Sequence, residues 1–216
     1  LAAPEKIVEE VTCLLYPKKD LAGQTILVSG GPTRESVDPV RYLSNRSSGK
    51  MGYALARVAR WRGAEVILVS GPTSLIPPEG VDFIPVLTAR DMSEAIYSRL
   101  DRITVLIMAA AVADYRPEKD SPRKIKKNQT SFSLNLVENE DILQGVSKRI
   151  TAKSRGRSRR PLMIGFAAES HDLVEEAKRK LKEKDLDMIV ANPVLLAGAG
   201  FDEDTNVVTI VRRDHR

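Results

Sequence analysis

Thr25-Ile-Leu-Val-Ser-Gly-Gly-Pro-Thr-Arg-Glu35 begins as a short apolar run and ends in a glycine pair followed by polar residues. An unbroken apolar run of this length marks a strand buried on both faces, as in a parallel sheet. The glycines allow a tight turn that a ligand can approach closely. A helical apolar pattern spans residues 49–62, Gly63 stops it, and a second run, Glu65-Val-Ile-Leu-Val-Ser70, follows. Strand, loop, helix and strand in this order form a right-handed crossover unit, which predicts a doubly wound sheet. Gly71-Pro72-Thr73 repeats the turn chemistry of Gly31-Pro32-Thr33, as expected of two strand ends that open on the same edge.

The alternation continues outward from this unit. Further strands are expected at residues 82–86, 105–109, 162–166 and 188–191, and residues 131–137 alternate like an exposed strand. Helices are expected at 89–100, 141–149 and 173–184. The β-branched run at 206–211 suits the second arm of an edge hairpin. Ahead of the first strand, Ile7, Val8, Val11, Leu14 and Leu15 give residues 4–15 a weakly amphipathic helical pattern, and residues 18–24 read as a linker. No internal repeat and no domain boundary interrupts residues 24–211. The expected fold is α/β: a three-layer Rossmann-like sandwich with a mostly parallel central sheet and an edge hairpin or flap.

The 216 residues, 42% of them hydrophobic, suffice for one such domain. No apolar run reaches the roughly 20 residues that cross a bilayer. Leu1-Ala2-Ala3-Pro4 leads straight into charged residues, unlike a signal peptide. Cys13 is the only cysteine, so neither an internal disulfide nor a cysteine-built zinc site is available. The setting expected is cytoplasmic, with no membrane partner. The net charge of +5 gathers in two clusters. One (Lys153, Arg155, Arg157, Arg159, Arg160) lies among Ser and Gly and reads as a solvated loop. It has no interleaved aromatic to stack on bases, so a nucleic-acid partner is not expected.

Candidate site residues begin at Ser44-Asn-Arg-Ser-Ser-Gly-Lys-Met-Gly52, a small-residue loop that runs into a helix. Ser47 and Ser48 are placed to cap that helix, and its N-terminal N–H groups and dipole favour an anion. Lys50 adds a full charge. The stretch is not a P-loop, which needs Gly at 44 and Ser or Thr at 51, where this chain has Ser44 and Met51. A phosphate or carboxylate cradle and an ordinary capped helix both fit it. In open α/β sheets ligands bind beyond the carboxyl ends of the strands. Residues there include Ala110-Ala-Val-Ala-Asp-Tyr115, whose small side chains let a flat ligand lie against the backbone, and Ala167-Ala168-Glu169. Asp114 suits a hydrated magnesium ion, a ribose hydroxyl or a plain turn. In the second basic cluster, Arg123-Lys-Ile-Lys-Lys127, an extended backbone puts Ile125 opposite Lys124 and Lys126. Ile125 can then anchor the segment while a lysine reaches a triphosphate.

Six segments in order resemble one family, phosphopantothenoylcysteine synthetase (phosphopantothenate–cysteine ligase). They are Gly31-Pro-Thr-Arg-Glu35, Asp38-Pro-Val-Arg-Tyr-Leu-Ser-Asn45, Ser47-Ser-Gly-Lys-Met-Gly52, Ala110-Ala-Val-Ala-Asp-Tyr115, Lys124-Ile-Lys-Lys127 and Gly165-Phe-Ala-Ala-Glu169. The resemblance implies a ligase that joins 4′-phosphopantothenate to L-cysteine through an acyl-cytidylate, with CTP and magnesium. It implies Lys124 and Asn45 as catalytic. Ala110, Ala111, Asp114, Lys124, Lys127 and Phe166 would bind the nucleotide, with Asp114 at the metal. Arg41, Asn45, Ser47, Ser48, Gly49, Lys50 and Gly52 would bind the substrate. It also implies a homodimer and, in many bacteria, fusion to a flavin-dependent decarboxylase. On that basis residues 1–23 are the remnant of an interdomain linker helix and 24–216 the ligase domain, shortened at its C-terminal end, and no flavin is expected here.

Two other classes compete. An NAD(P)-dependent reductase would use Tyr115 and Lys119 as Y-x-x-x-K, but Pro117 opposes the helix that pairs them, and the first strand lacks G-x-G-x-x-G. A basic nucleic-acid-binding domain rests on a pI near 9.3 and the 153–160 cluster alone.

Overall fold

Strand β1 (Thr25–Gly30) is buried from Ile26 onward and lies at the middle of the sheet. A computed structural model describes residues 3–127, 131–153, 160–169, 171–193 and 205–213. Helix α1 (Pro4–Leu15) precedes β1. The short strands β2 (Arg34–Ser36) and β3 (Tyr42–Ser44) follow it, then α2 (Lys50–Trp61), β4 (Glu65–Ser70) and β5 (Asp82–Pro85). Next come α3 (Ala89–Tyr97), β6 (Val105–Met108), β7 (Tyr115–Pro117), β8 (Leu136–Glu138) and α4 (Ile142–Lys153). The described chain closes with β9 (Leu162–Glu169), α5 (Leu173–Glu183), β10 (Met188–Pro193) and β11 (Thr209–Arg212).

Seven strands form one sheet in the order β11-β10-β9-β6-β1-β4-β5, parallel except for the antiparallel pair β10–β11. The period-2 alternation of side chains sends Ile26 and Val28 to one face and Leu27 to the other. Ile26, Val28, Val66 and Leu68 pack with Tyr53, Ala56 and Ala59 of α2. On the opposite face Leu27, Ile67, Val69 and Leu106 pack with side chains of α3, α4 and α5, among them Met92, Ile96, Val146 and Leu181. This is the three-layer sandwich expected from the sequence, and β11 is the second arm of its edge hairpin. The strand order reverses between β1 and β6, and such a switch point opens a crevice at the carboxyl ends of the strands.

Several local expectations are corrected. The capping position of α2 is Gly49 and not Ser47 or Ser48; it stands at φ 80° without a side-chain bond, and Ser47 Oγ accepts from Gly49 N at 3.2 Å. The chain enters the helix through a left-handed turn that glycine alone adopts without strain. Of residues 131–137 only the end is strand, paired with the three-residue β7, and one further cross-strand bond, from Glu118 N to Asn135 O at 2.9 Å, follows it. Tyr115 and Pro117 lie in β7, so no helix brings Tyr115 and Lys119 to one face. Residues 154–159, the bulk of the first basic cluster, lie outside the described residues.

Helix α1 packs on α2 through Arg57–Glu9 at 3.1 Å, Arg60–Glu10 at 2.8 Å and the Tyr16–Trp61 ring pair. It leaves Val8, Leu14 and Leu15 exposed. No helix among the described residues is long and apolar enough to cross a membrane.

The paired glycine turns interlock. Gly71 N donates to Gly30 O at 3.0 Å, and a Cβ on Gly71 would lie 1.8 Å from the Pro32 carbonyl oxygen. That neighbour is backbone and cannot swing aside. Gly71→Ala is therefore expected to destabilise the protein by about 3 kcal/mol, the upper range for overpacking. The check is a lower urea midpoint at unchanged m-value; an unchanged midpoint would mean that the two turns do not meet.

Candidate active site

The loops at the carboxyl ends of β1 and β6 are stitched together by side chains that are fully buried. Ser29 Oγ accepts from Ala110 N at 3.1 Å and Thr33 Oγ1 from Ala113 N at 2.9 Å. Between them Ala111 N donates to Gly31 O at 3.0 Å, and Thr33 N to Ala111 O at 3.3 Å. The small-residue segment after β6 is thus laid along the end of β1. Glu35, also buried, accepts from Ala89 N at 2.9 Å and satisfies the first turn of α3. Periodicity does not reveal these polar stitches; their only trace is Ser, Thr and Glu placed just past an apolar strand.

In front of these loops lies a cavity of about 760 Å³, within the range of small-molecule sites. The entire stretch Ser47–Gly52 lines it, together with Ala110, Ala111 and Phe166. Residues expected from separate segments, 47–52 at the start of α2 and 110–111 and 166 after two other strands, therefore share one cavity. Gly52 permits this, since a Cβ there would stand 2.9 Å from Gly30 Cα and Ser29 O. Arg57, Leu75, Asn192 and Asn206 complete walls that the sequence did not suggest. Asn192 and Asn206 are brought in by the edge hairpin, at a sequence distance no local pattern spans. A second cavity, of about 560 Å³ between α3, α4 and the β7–β8 pair, contains none of the expected site residues.

Asn45, Arg41, Asp114, Lys124 and Lys127 do not line the main cavity, and of these Asn45 is hydrogen-bonded to the segment after β6 whose first residues do. Asn45 directly follows β3, and its Nδ2 donates to Val112 O at 2.9 Å, beside the Ala110–Ala113 segment. Asp114 is exposed, and its carbonyl accepts from Asn139 N at 2.8 Å. Arg41 is engaged by Asp38, and its Nη2 donates to Ile125 O at 3.0 Å. Lys124 and Lys127 are exposed on either side of Ile125. The Asp38 side chain is fully buried, and the Arg41 guanidinium holds its carboxyl well below the usual carboxylate range. Burial opposes that shift, and N–H groups of Val40, Ile125 and Arg41 support it. A lowered pKa means that the stabilisation is fully present above the unfolded-state pKa and is lost as pH falls from there through the folded-state value.

For a divalent cation the donor set is sparse. Among the described residues no three His, Cys, Asp or Glu side chains converge. A lone exposed carboxylate, Asp114, fits a hydrated magnesium ion that arrives with phosphates and not one caged by protein.

Fold and site together define a Rossmann-type α/β domain with a small-molecule cavity at the switch point of its sheet. The chain belongs to the DNA/pantothenate metabolism flavoprotein C-terminal domain family, whose model matches residues 21–216. It is 45% identical over 195 residues to the coenzyme A biosynthesis bifunctional protein CoaBC of Bacillus subtilis, covering 90% of this chain and 46% of that protein. It thus spans about half the length of the curated relatives it matches. The crystal structure of the C-terminal domain of a CoaBC protein superposes with TM-score 0.72 at 43% identity, over 91% of this chain and 85% of that one. A mutant of Cab2, in complex with phosphopantothenate-cysteine, shares the fold at TM-score 0.65 and 14% identity, over 99% of this chain and 88% of that one.

Proposed function

We propose that this chain is a phosphopantothenate–cysteine ligase domain that uses CTP. The observation that supports this best is the single cavity lined by both the anion-favouring Ser47–Gly52 loop and the Ala110, Ala111 and Phe166 surface. One half suits the phosphate and polar chain of 4′-phosphopantothenate. The other suits a flat base read by backbone groups. A carboxylate is a poor electrophile, so its oxygen first attacks the α-phosphorus of CTP and pyrophosphate leaves. The cysteine amine then attacks the acyl carbon of the acyl-cytidylate; the amide forms, CMP leaves and the amine gives up a proton. Lys124, assisted by Lys127, neutralises charge on the triphosphate in the first step. Asn45 hydrogen-bonds the acyl group in the second. Asp114 would hold a magnesium ion, which supplies further charge neutralisation at the phosphates. Arg41 belongs to the substrate-binding set and ties it to the lysine segment through Ile125. Residues 1–23 join the domain to a flavin-dependent decarboxylase in a cytoplasmic bifunctional protein, and the ligase works as a homodimer.

The test is pyrophosphate release with 4′-phosphopantothenate, magnesium and either CTP or ATP, each with and without cysteine. Release with CTP, and CMP with phosphopantothenoylcysteine once cysteine is added, is the expected result. A folded dimer silent with both nucleotides would overturn the proposal.

A further inference from the structure

The turn between β2 and β3 does more than reverse the chain. Asp38 Oδ1 accepts from Val40 N and Arg41 N, both at 2.9 Å, which closes the turn on itself. Its other oxygen accepts from Arg41 Nε at 3.0 Å, from Arg41 Nη2, and from Ile125 N at 3.1 Å. Only the last donor comes from elsewhere in the chain. It is the N–H of the peptide bond that joins Lys124 to Ile125. Arg41 Nη2 donates to the carbonyl of the same Ile125, so both backbone groups of this residue are held by the turn. A second tie lies four residues upstream, where Ser121 N donates to Val37 O at 3.0 Å. Lys124 therefore sits between two backbone anchors, with its side chain exposed. β3 leaves the same turn and delivers Asn45 immediately after Ser44.

We propose that Asp38 is the positioning residue of this site: its buried carboxylate fixes the Lys124–Ile125 peptide to the β2–β3 turn. The lysine and Asn45 are thereby presented from one rigid hairpin. The inference rests on the role proposed above for Lys124. A carboxylate suits the task because it accepts several N–H donors at once and offers none. Charge makes those bonds stronger than neutral ones, and burial makes their loss costly. Asn at this position would turn an N–H₂ group toward Arg41 or Ile125 N and break the set.

Trypsin reads the tether directly, because its cut after Lys124 falls on the bond whose N–H Asp38 holds. In the ligand-free protein, Asp38→Asn should speed that cut roughly 10-fold or more, since cleavage follows the population of the opened segment. Cuts at Arg57 and Arg62, on and beside α2, should stay at the parent rate. Equal rates at Lys124 in both proteins would overturn the proposal, whereas a general rise at every site marks loss of fold and passes the test to a second variant. Should Asp38→Asn not fold, Ile125→Pro removes the single N–H and leaves Asp38 its own turn. That variant should lower kcat for pyrophosphate release roughly 10- to 100-fold, as misplaced groups do, with KM for CTP nearly unchanged. Parent-level kcat would overturn the proposal. Failure of the ligase reading is separable, because Lys124→Gln reports on it while the trypsin assay needs no nucleotide.

Discussion

Lys124→Gln is expected to cut pyrophosphate release from CTP about 1,000-fold while leaving the protein as stable as the parent. The side chain is exposed, and substitutions at such positions usually move stability by no more than about 0.5 kcal/mol. Glutamine keeps most of the length and the capacity to donate hydrogen bonds. It loses the charge. A unit charge about 4 Å from a phosphate oxygen contributes about 4 kcal/mol at the effective dielectric near a protein surface, which is about three powers of ten in rate. Because the charge on the pyrophosphate leaving group grows in the transition state, the loss should fall on kcat more than on KM. Steady-state pyrophosphate release on both proteins, with matched melting temperatures, makes the comparison. Near-normal turnover in the variant would remove Lys124 from the first step and leave its segment an ordinary solvated charge run.

Asn45→Asp should split the two half-reactions. The parent Nδ2 donates to the Val112 carbonyl, which orients the amide at the edge of the small-residue segment. Aspartate has the same shape and only acceptors, so it faces that carbonyl without a proton to share. It also places a negative charge where the acyl oxygen becomes negative during attack by the cysteine amine. Loss of one such donor costs about 100- to 1,000-fold in kcat. The first step makes no such demand on residue 45. Pyrophosphate should therefore still appear, CMP formation should stall, and the acyl-cytidylate should build up to a mass detectable in quenched mixtures. Product formed at the parent rate would reduce Asn45 to a loop residue tied to Val112.

The two variants gain meaning from their positions on one hairpin. Both residues depend on the β2–β3 turn, yet they act on opposite sides of the intermediate. A defect in the hairpin itself would depress both steps, whereas each substitution should depress one.

Much of this architecture is legible in the amino-acid sequence itself. Strands buried on both faces read as unbroken apolar runs, so Thr25–Gly30 and Glu65–Ser70 stand where the pattern put them. Long amphipathic helices repeat often enough to be found, and α2 and α5 were placed to within a residue or two. The alternation of such elements then leaves few topologies, and the right-handed crossover rule selects among them. Strands of three residues carry no usable period, so β2, β3 and β7 were invisible, and the Ser131–Val137 alternation named faces but not a partner.

Composition, spacing and motif order thus determined by themselves the fold class, the family resemblance and the residues to examine. Tertiary structure alone decided which of them meet. It put the Ser47–Gly52 loop, Ala110, Ala111 and Phe166 around one cavity, added Asn192 and Asn206 from the far edge of the sheet, and hung the Lys124 segment on Asp38. The physical reason is that a strand's apolar period is written in neighbouring residues, while a buried polar contact depends on a partner that may lie 87 positions away, as Ile125 does from Asp38.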